Sequence, residues 1–500
     1  MKKNNAQPLQ PSTNNLQSID LKGRANQEMV AAGLLPSFEP NVLQEVQGLR
    51  RVQPNFVDGK AHDLRSLLWS SIDNPDSKDL DQIEYVEEQK GGNIRVLIAI
   101  ADVDSFAPKN SAIDLHAYFN TTSVYTGVVT YPMLPDDLSF NLTSLLPDAD
   151  RTAIIIDLIV GHSGVVLASN IYQAVVRNQA KLDYKMVGDW LESGGSPPDK
   201  IAKLPGLADQ IRLQNKVKDL MHNHRKQQGS LYLHTPEATT VAENGIVLDL
   251  ELVEDNPARD LIENFMVSAN IAVSHFLESK KIPSIRRIVK TPERWDRIVA
   301  VAQSYGQHLP LEPDAKALAQ FLLQRKEADP LRFPDLSLTI VKLLGRGEYV
   351  LEVPGQTDQG HFALAVRDYT HATAPNRRYP DLVMQRLVKA AIKNSASPYT
   401  TDEISKIAIH CTEEEEAAKK VERTMRKVAA AVLLSKHIGE TYQAIVTGVT
   451  TGGTFVRLLK PPAEGKVIRG EQDLDVGDQI KVKLVSTDPE HAYIDFEKVS

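Results

Sequence analysis

The spacing of apolar residues divides the chain into a long mixed region and a short β-rich region. Residues 95–104, RVLIAIADVD, form a continuous apolar run that ends in acidic residues, which is typical of a buried strand that delivers polar side chains to a site. Further segments show the spacing of helices: 208–228, 257–281, 380–393 and 402–436. Up to about residue 437 this pattern predicts a mixed α/β (α+β) architecture.

The pattern changes after His437-Ile438-Gly439. Short β-like segments follow, with glycine and proline between them: TYQAIVTGVT, GTFVRLL, QIKVKLV and AYIDFE. About five short strands within about sixty residues are typical of a small closed barrel of the OB-fold type. The barrel segments carry aromatic and basic residues that suit a single strand, although such aromatics also serve as barrel core: Tyr442, Phe455, Tyr493, Arg457, Lys481 and Lys483.

The N-terminal residues have a different composition. Residues 1–20 are rich in Asn, Gln and Ser, so we expect a disordered tail. Residues 25–52 indicate two short helices broken around Pro36 and Pro40.

Composition narrows the function only a little. A net charge of −8 argues mildly against a nucleic-acid binder, yet an acidic metal cluster can accompany basic residues confined to an RNA path. The single cysteine, Cys411, excludes an internal disulfide and a multi-cysteine zinc site. No apolar stretch has the length of a membrane span, and MKKNNAQPLQ lacks the apolar segment of a secretory signal, so we expect a cytoplasmic protein.

Residues 70–85, SSIDNPDSKDLDQIEY, contain a cluster of acidic residues and are the most informative segment about function. Carboxylates recur here just ahead of the apolar run, at Asp73, Asp76, Asp79 and Asp81. Carboxylates this close repel one another unless a cation lies between them, and magnesium prefers such hard oxygen ligands. Asp79 and Asp81 are two residues apart and would face the same side of an extended segment. Taken alone, an Asp-x-Asp pair is more often an exposed acidic turn.

Ile72-Asp73 followed by Asp79-Leu80-Asp81 resembles the catalytic motif of the ribonuclease II and ribonuclease R family, the RNB domain. More segments resemble that family in the same order: IAIADVDSF (98–106), YPMLPDDLS (131–139), LIENFMVSAN (261–270) and HFALAVRDYTHATAPNRRYPDLVMQRL (361–387). The barrel lies where the family carries an RNA-binding OB-fold. The resemblance implies an RNB catalytic domain at 61–395 and an OB-fold RNA-binding domain at 438–500. Composition and apolar spacing add a tail and helical extension at 1–60 and a helical connector at 396–437.

The resemblance also implies an activity, which is processive 3′–5′ hydrolysis of single-stranded RNA to nucleoside 5′-monophosphates with one or two Mg²⁺ ions. It assigns the metal to Asp73, Asp79, Asp81 and Gln82. It assigns catalysis to Asp79, Asp81 and Arg377. It assigns RNA binding to Tyr125, Glu263 and Arg378. Stacking and charge on the barrel segments, rather than the resemblance, nominate Tyr442, Phe455, Lys481 and Lys483 for RNA binding.

The chain departs from the family pattern at several positions. Gln82 stands where the family has the last aspartate of Asp-x-Asp-Asp, Asn264 replaces a second glutamate, and Ala374 replaces a serine. The residues ahead of the catalytic region are too few for the family's two cold-shock barrels. Because Gln82 removes a negative charge, an RNA-binding protein with a decayed catalytic centre stays open as the alternative.

Expected partners follow from the same reasoning. Single-stranded RNA is the expected partner, and we expect a monomer that does not bind a membrane. The glycines of LLGRGEY (343–349) lack the pattern of a nucleotide-binding loop, so we expect no nucleotide cofactor.

Overall fold

The structure is a computed structural model, and it describes these residues: 20–49, 62–233, 238–243, 245–252, 255–330, 332–356 and 360–499. The predicted N-terminal tail lies outside them except for Asp20. The two predicted helices are α1 (Leu21–Ala31) and α2 (Pro40–Leu49), and residues 50–52 lie outside the described part. Asp20 caps α1 by accepting a hydrogen bond from the backbone N–H of Gly23.

The first region contains runs of strands separated by helices. The strands are β1 (His62–Asp63), β2 (Trp69–Asp73), β3 (Gln82–Glu88), β4 (Ile94–Ala101), β5 (Val124–Tyr125), β6 (Thr130–Tyr131), β7 (Asp150–Val160), β8 (Val166–Asp183), β9 (Ala238–Glu243), β10 (Ile246–Leu252), β11 (Ser284–Val289) and β12 (Gly347–Glu352). The helices are α3 (Ala112–Asn120), α4 (Tyr184–Ser193), α5 (Asp199–Ala202), α6 (Leu207–Gln228), α7 (Pro257–Ser279), α8 (Trp295–Ser304), α9 (Ala315–Ala328), α10 (Phe333–Leu344), α11 (Tyr379–Ile392) and α12 (Thr401–Leu434). The helices predicted from apolar spacing are confirmed as α6, α7, α11 and α12.

The central sheet has the strand order β1-β8-β2-β3-β4-β7. Its longest strand, β8, pairs antiparallel with β7 through residues 166–177 and parallel with β2 through residues 178–183. One strand therefore joins both sides of the sheet. Strand β4 lies between β3 and β7 and is buried along almost its whole length, which explains its continuous apolar sequence and confirms the predicted buried strand.

The C-terminal region is a closed barrel of β13 (Thr441–Thr450), β14 (Gly453–Leu458), β15 (Glu464–Arg469), β16 (Gln479–Asp488) and β17 (Tyr493–Val499), in the order β13-β14-β15-β17-β16. Its interior is filled by alternate apolar residues, among them Val456, Val482 and Phe496. The predicted mixed α/β fold with a small C-terminal barrel is confirmed. In the part of the chain that the structure describes, the helices are too short or too polar to cross a membrane.

Helix α11 is fixed to the end of β4 by buried ion pairs. Arg386 donates from Nε to Asp104 at 3.0 Å, and its Nη1 lies 2.7 Å from the carboxylate of Asp114. One turn later, Lys389 contacts Asp102 at 2.8 Å and Asp104 at 2.9 Å. Because these charges are withdrawn from water, each depends on its partner for compensation. The network holds α11 in place, and the N-terminus of this helix follows the arginine motif directly.

Replacing Arg386 with Met should lower the free energy of unfolding by about 3–5 kcal/mol, because Asp114 would remain buried without its cation. Urea unfolding at neutral pH measures this change. Arg346→Met is the matched control, since Arg346 is 60% exposed and pairs loosely with Glu348 at 3.8 Å. The control should change stability by less than about 0.5 kcal/mol. Equal effects of the two substitutions would contradict the role given to the network.

Candidate functional site

Asp73 lies at the C-terminal end of β2, opposite Asp183 of β8. Its carboxylate accepts hydrogen bonds from the backbone N–H of Asn74 at 2.7 Å and from the hydroxyl of Ser77 at 3.0 Å. Burial raises the pKa of this carboxyl, and the charge of Asp79 raises it further. The loop after β2 therefore holds Asp73 in a fixed orientation at the edge of the sheet.

Asp81 lies at the end of the same loop and is 2% exposed. Its carboxylate accepts from the backbone N–H of Asn376 and from Nε of Arg377, both at 3.1 Å. The side chain of Arg377 is 43% exposed, so part of its guanidinium faces solvent. The acidic loop and the arginine motif, far apart in sequence, thus meet at one place.

Tyr125 comes from a third segment of the chain. Its hydroxyl donates to Asp79 at 3.0 Å, and the residue as a whole is 43% exposed. The segment before it is fastened to the arginine motif, because the backbone N–H of Ser123 donates to the carbonyl of Arg377 at 3.0 Å. The backbone N–H of Tyr125 itself donates to Glu422 of α12 at 2.8 Å. An exposed aromatic ring therefore lies beside the acidic loop and the partly exposed Arg377.

Whether the site fits a divalent cation depends on its oxygen atoms. Among the described residues, no three Asp, Glu, His or Cys side chains are close enough together to form a complete metal-binding site. Magnesium is usually held by one or two carboxylates together with water and phosphate oxygens, so an incomplete protein shell suits it. Gln82 begins β3 and is nearly buried, and Glu84 follows it on the same strand. Burial raises the pKa of Glu84 well above its usual range, and the charge of Asp73 adds to this effect.

Glu263 lies on α7 and lines a cavity of about 960 Å³. Asp260 of the same helix and Arg225 of α6 line this cavity too. Burial raises the pKa of the Glu263 carboxyl, and the positive charge of Arg225 opposes that rise. Arg225 donates to the side-chain oxygen of Asn264 at 2.6 Å, so the residue that replaces a family glutamate is its hydrogen-bond acceptor. Glu263 thus shares a cavity with charged residues of α6 and α7.

Arg378 does not share the exposure of Arg377. Its guanidinium contacts the buried carboxylate of Asp381 at 2.7 Å and lies 3.5 Å from the hydroxyl of Thr373. This ion pair ties the arginine motif to the first turn of α11. The predicted RNA contact by Arg378 stays a prediction, and the guanidinium already has an internal partner.

The aromatic and basic residues predicted on the barrel do not form one surface. Phe455 is 38% exposed, and its strand partner on β13 is Gly448. The partner of Lys483 on β13 is Thr441, seven positions away along the strand, and that of Lys481 is Gln443. Phe455 and the two lysines therefore lie towards opposite ends of β13.

Two further barrel residues, Tyr442 and Arg457, already have partners within the protein. The hydroxyl of Tyr442 donates to Glu440 at 3.0 Å, and its ring packs against the barrel core. Arg457, which was expected near the stacking aromatics, lies two residues after Phe455 on β14. Its guanidinium is buried against α10 and contacts Asp335 at 3.1 Å, so it attaches the barrel to the first region.

Sequence reasoning missed Tyr184, Arg259 and Asn376. Tyr184 directly follows Asp183, the strand partner of Asp73, and burial raises the pKa of its hydroxyl, with the charge of Asp73 adding to this. The guanidinium of Arg259 lies 4.4 Å from the centre of that ring and donates to Asn74 at 3.2 Å. The parallel pairing of β2 with β8 brings Tyr184 to the site, and a local sequence motif does not reveal such a pairing.

The profile of the family described as "RNB domain" matches residues 61–394, and that described as "RNase II-type exonuclease C-terminal S1 domain" matches residues 440–499. Similar proteins include "Ribonuclease R 1" of Lactococcus lactis, 28% identical over 94% of this chain and 60% of the relative. Another is "Ribonuclease R" of Escherichia coli, 28% identical over 93% of this chain and 61% of the relative. The chain spans about 60% of the length of these two curated relatives.

Solved structures share the fold. Mycoplasma genitalium RNase R in complex with ribose-methylated single-stranded RNA matches with a TM-score of 0.86 at 23% identity, over 96% of this chain and 78% of that one. Yeast Ssd1, described as a pseudonuclease, matches with a TM-score of 0.69 at 16% identity, over 95% of this chain and 58% of that one. Both a nuclease and a pseudonuclease therefore carry this fold, so the fold alone does not decide the chemistry.

The acid–base behaviour of Asp81 provides a test of the site geometry. Burial raises its pKa to about 7, although Arg377 opposes the rise. A carboxyl whose pKa rises on folding stabilises the protein below its unfolded pKa, and this contribution disappears as pH rises through the folded pKa. In EDTA, wild type should therefore lose stability relative to Asp81→Asn between about pH 4 and pH 7, by about 1.4 kcal/mol per pH unit. Urea unfolding at pH 5 and pH 8 measures the change, and a pH-independent difference would contradict it.

Proposed function

The chain belongs to the RNB domain family, and on this basis we propose that it is a magnesium-dependent 3′–5′ exoribonuclease that hydrolyses single-stranded RNA to nucleoside 5′-monophosphates. We assign catalysis to residues 61–395, a helical connector to 396–437 and RNA binding to the barrel at 438–500. The family matches over 61–394 and 440–499 support this division.

The contact of Asp81 with Arg377 is the observation that supports hydrolysis best. An arginine that is held at Nε by a buried carboxylate keeps its two terminal nitrogens available for another acceptor. Those donors match the oxygens of a phosphate, and charge on these oxygens increases during hydrolysis. The Asp81 carboxylate therefore orients Arg377 so that its exposed edge stabilises the developing charge.

The metal-ion chemistry is assigned to the acidic loop. Asp73 and Asp79 supply hard carboxylate oxygens, and Asp81 supplies negative charge beside them. A divalent ion held there would neutralise charge on the scissile phosphate and favour ionisation of the attacking water. Asn74 and Ser77 orient Asp73 through its hydrogen bonds, so the loop presents the carboxylate in a preset direction. Asp79 is oriented in the same way by the hydroxyl of Tyr125.

Recognition of a single strand is assigned to exposed groups around the acidic loop. The exposed ring of Tyr125 offers a face for stacking a nucleobase next to Asp79. Glu263 can accept a hydrogen bond from a ribose 2′-hydroxyl, which a DNA strand cannot provide. Phe455 and Tyr493 are exposed aromatic residues of the barrel and could stack on the strand before it enters the catalytic domain. Arg457 has no part in this path, because Asp335 holds it.

The rival function is RNA binding by a decayed centre, as the pseudonuclease fold match allows. Gln82 supports the rival because it lacks the carboxylate of the family motif. Asp73, Asp79 and Asp81 are all present, and Asp81 is joined to Arg377 by a hydrogen bond that binding alone would not require. These residues favour the enzyme.

A 5′-labelled single-stranded RNA, incubated with the full chain and magnesium and resolved on a sequencing gel, tests the proposal. We expect the RNA to shorten to a small limit product with release of nucleoside monophosphates, and to stay intact in EDTA. Asp81→Asn should still bind RNA but cut it about 100-fold more slowly or worse, because Arg377 loses its orienting carboxylate and the loop loses a charge.

Other substrates separate the proposed activity from its rivals. A circular RNA of the same sequence should stay intact, since an exonuclease needs an end, and a DNA strand should be cut poorly. RNA that is bound but never cut by wild type would favour the decayed centre. Wild-type turnover by Asp81→Asn would contradict the assigned site.

A further inference from the structure

Two neighbouring side chains in the central sheet have buried oxygens without partners. Glu84 of β3 and Ser70 of β2 are both 0% exposed. Neither carboxylate oxygen of Glu84 nor the hydroxyl of Ser70 has a hydrogen-bond partner among the described residues. Buried polar atoms are nearly always satisfied by protein, water or an ion, and an isolated buried carboxylate is costly. This pair therefore needs an explanation.

The strand geometry places this pair close to the acidic loop. Ser70 and Glu84 lie directly opposite each other in the β2–β3 pairing, so their side chains share one face of the sheet. Gln82 is two residues before Glu84 on β3 and lies on that face as well. Asp73, at the end of β2, is the charged neighbour whose field acts on Glu84. The oxygens of Ser70, Gln82 and Glu84 thus lie beside the strand end that carries Asp73.

From this arrangement we propose that Glu84 is the second anionic group of the metal site that contains Asp73, and that it supplies the charge that Gln82 lacks. The inference rests on the proposed metal site of the enzyme. A divalent cation would neutralise the Glu84 carboxylate and satisfy its oxygens, directly or through bound water. The amide oxygen of Gln82 and the hydroxyl oxygen of Ser70 are uncharged, and both are hard oxygen ligands of the kind that divalent cations such as Mg²⁺ prefer.

An ordinary core role explains Glu84 less well. A protonated glutamic acid would remove the charge, yet its hydroxyl and carbonyl would still lack partners. The other acids of β3 behave differently, since Glu87 pairs with Arg95 at 3.0 Å and Glu88 pairs with Lys216 at 3.0 Å. Among the acids of β3, Glu84 is the one that is buried without a hydrogen-bond partner among the described residues.

Titration of the full chain with Mn²⁺, followed by electron paramagnetic resonance and without RNA, tests the inference directly. Glu84→Gln keeps the size of the side chain and removes its charge. We expect it to weaken Mn²⁺ binding about 10-fold or more, in line with the loss of a group that supports a metal site. Glu87→Gln, the same change elsewhere on the strand, should leave the affinity unchanged.

A second variant tests the compensation between the two positions. In the Gln82→Asp background a carboxylate stands at position 82 already, so Glu84→Gln should change the Mn²⁺ affinity by less than about threefold. This pair also keeps the test valid if Glu84→Gln alone folds poorly. Thermal unfolding in EDTA checks folding, and Glu84→Gln should be at least as stable as wild type because an unpartnered buried carboxyl is removed.

Several outcomes would overturn the inference. Unchanged Mn²⁺ affinity in Glu84→Gln would make Glu84 a neutral core residue, and an equal loss in both backgrounds would remove the compensation. Metal binding is measured apart from cleavage, so the two proposals fail separately. Wild type that cuts RNA but binds Mn²⁺ independently of Glu84 keeps the function and loses this inference. If wild type binds Mn²⁺ through Glu84 but leaves RNA intact, the inference about Glu84 stands and the proposed nuclease function fails.

Discussion

The buried carboxylate of Asp81 is the contact on which the site depends. It accepts from the backbone N–H of Asn376 and from Arg377, residues that lie 295 and 296 positions further along the chain. Burial disfavours its charge and the guanidinium favours it, so each group needs the other. The contact fixes the acidic loop after β2 against the arginine motif before α11. Without the Asp81 carboxylate, this contact would no longer join the acidic loop to the arginine motif.

Other elements help to hold the acidic loop and the arginine motif together. The buried pairs of Arg386 and Lys389 fasten α11 to the end of β4, and β4 pairs with β3, whose first residue follows Asp81. The segment that carries Tyr125 is hydrogen-bonded to the backbone of Arg377, and α12 holds the same segment through Glu422. Helix α12 then leads to the barrel, which Arg457 attaches to α10. The supporting charges are internal and paired, so the exposed part of Arg377 stays available.

The sequence predicted much of this, for physical reasons. Long apolar periodicities predicted α6, α7, α11 and α12, and the apolar run predicted β4, because burial imposes those patterns. Asp73, Asp79 and Asp81 could be nominated because they are close in sequence. The burial of Arg457 could not, since its partner Asp335 belongs to a helix far away in the chain. Tyr184 and Glu84 were missed for the same reason, because β2 must pair with β8 and β3 before either is recognised as a neighbour of Asp73.

A double-mutant cycle in single-turnover RNA cleavage tests most directly whether Asp81 and Arg377 form one reaction centre. It compares wild type, Asp81→Asn, Arg377→Lys and the double variant at saturating magnesium. Groups that act as a unit give strongly non-additive effects. We predict that each single variant is slow and that the double variant is about as slow as the slower single one. Losses that multiply, or single variants that cleave at the wild-type rate, would contradict a shared centre.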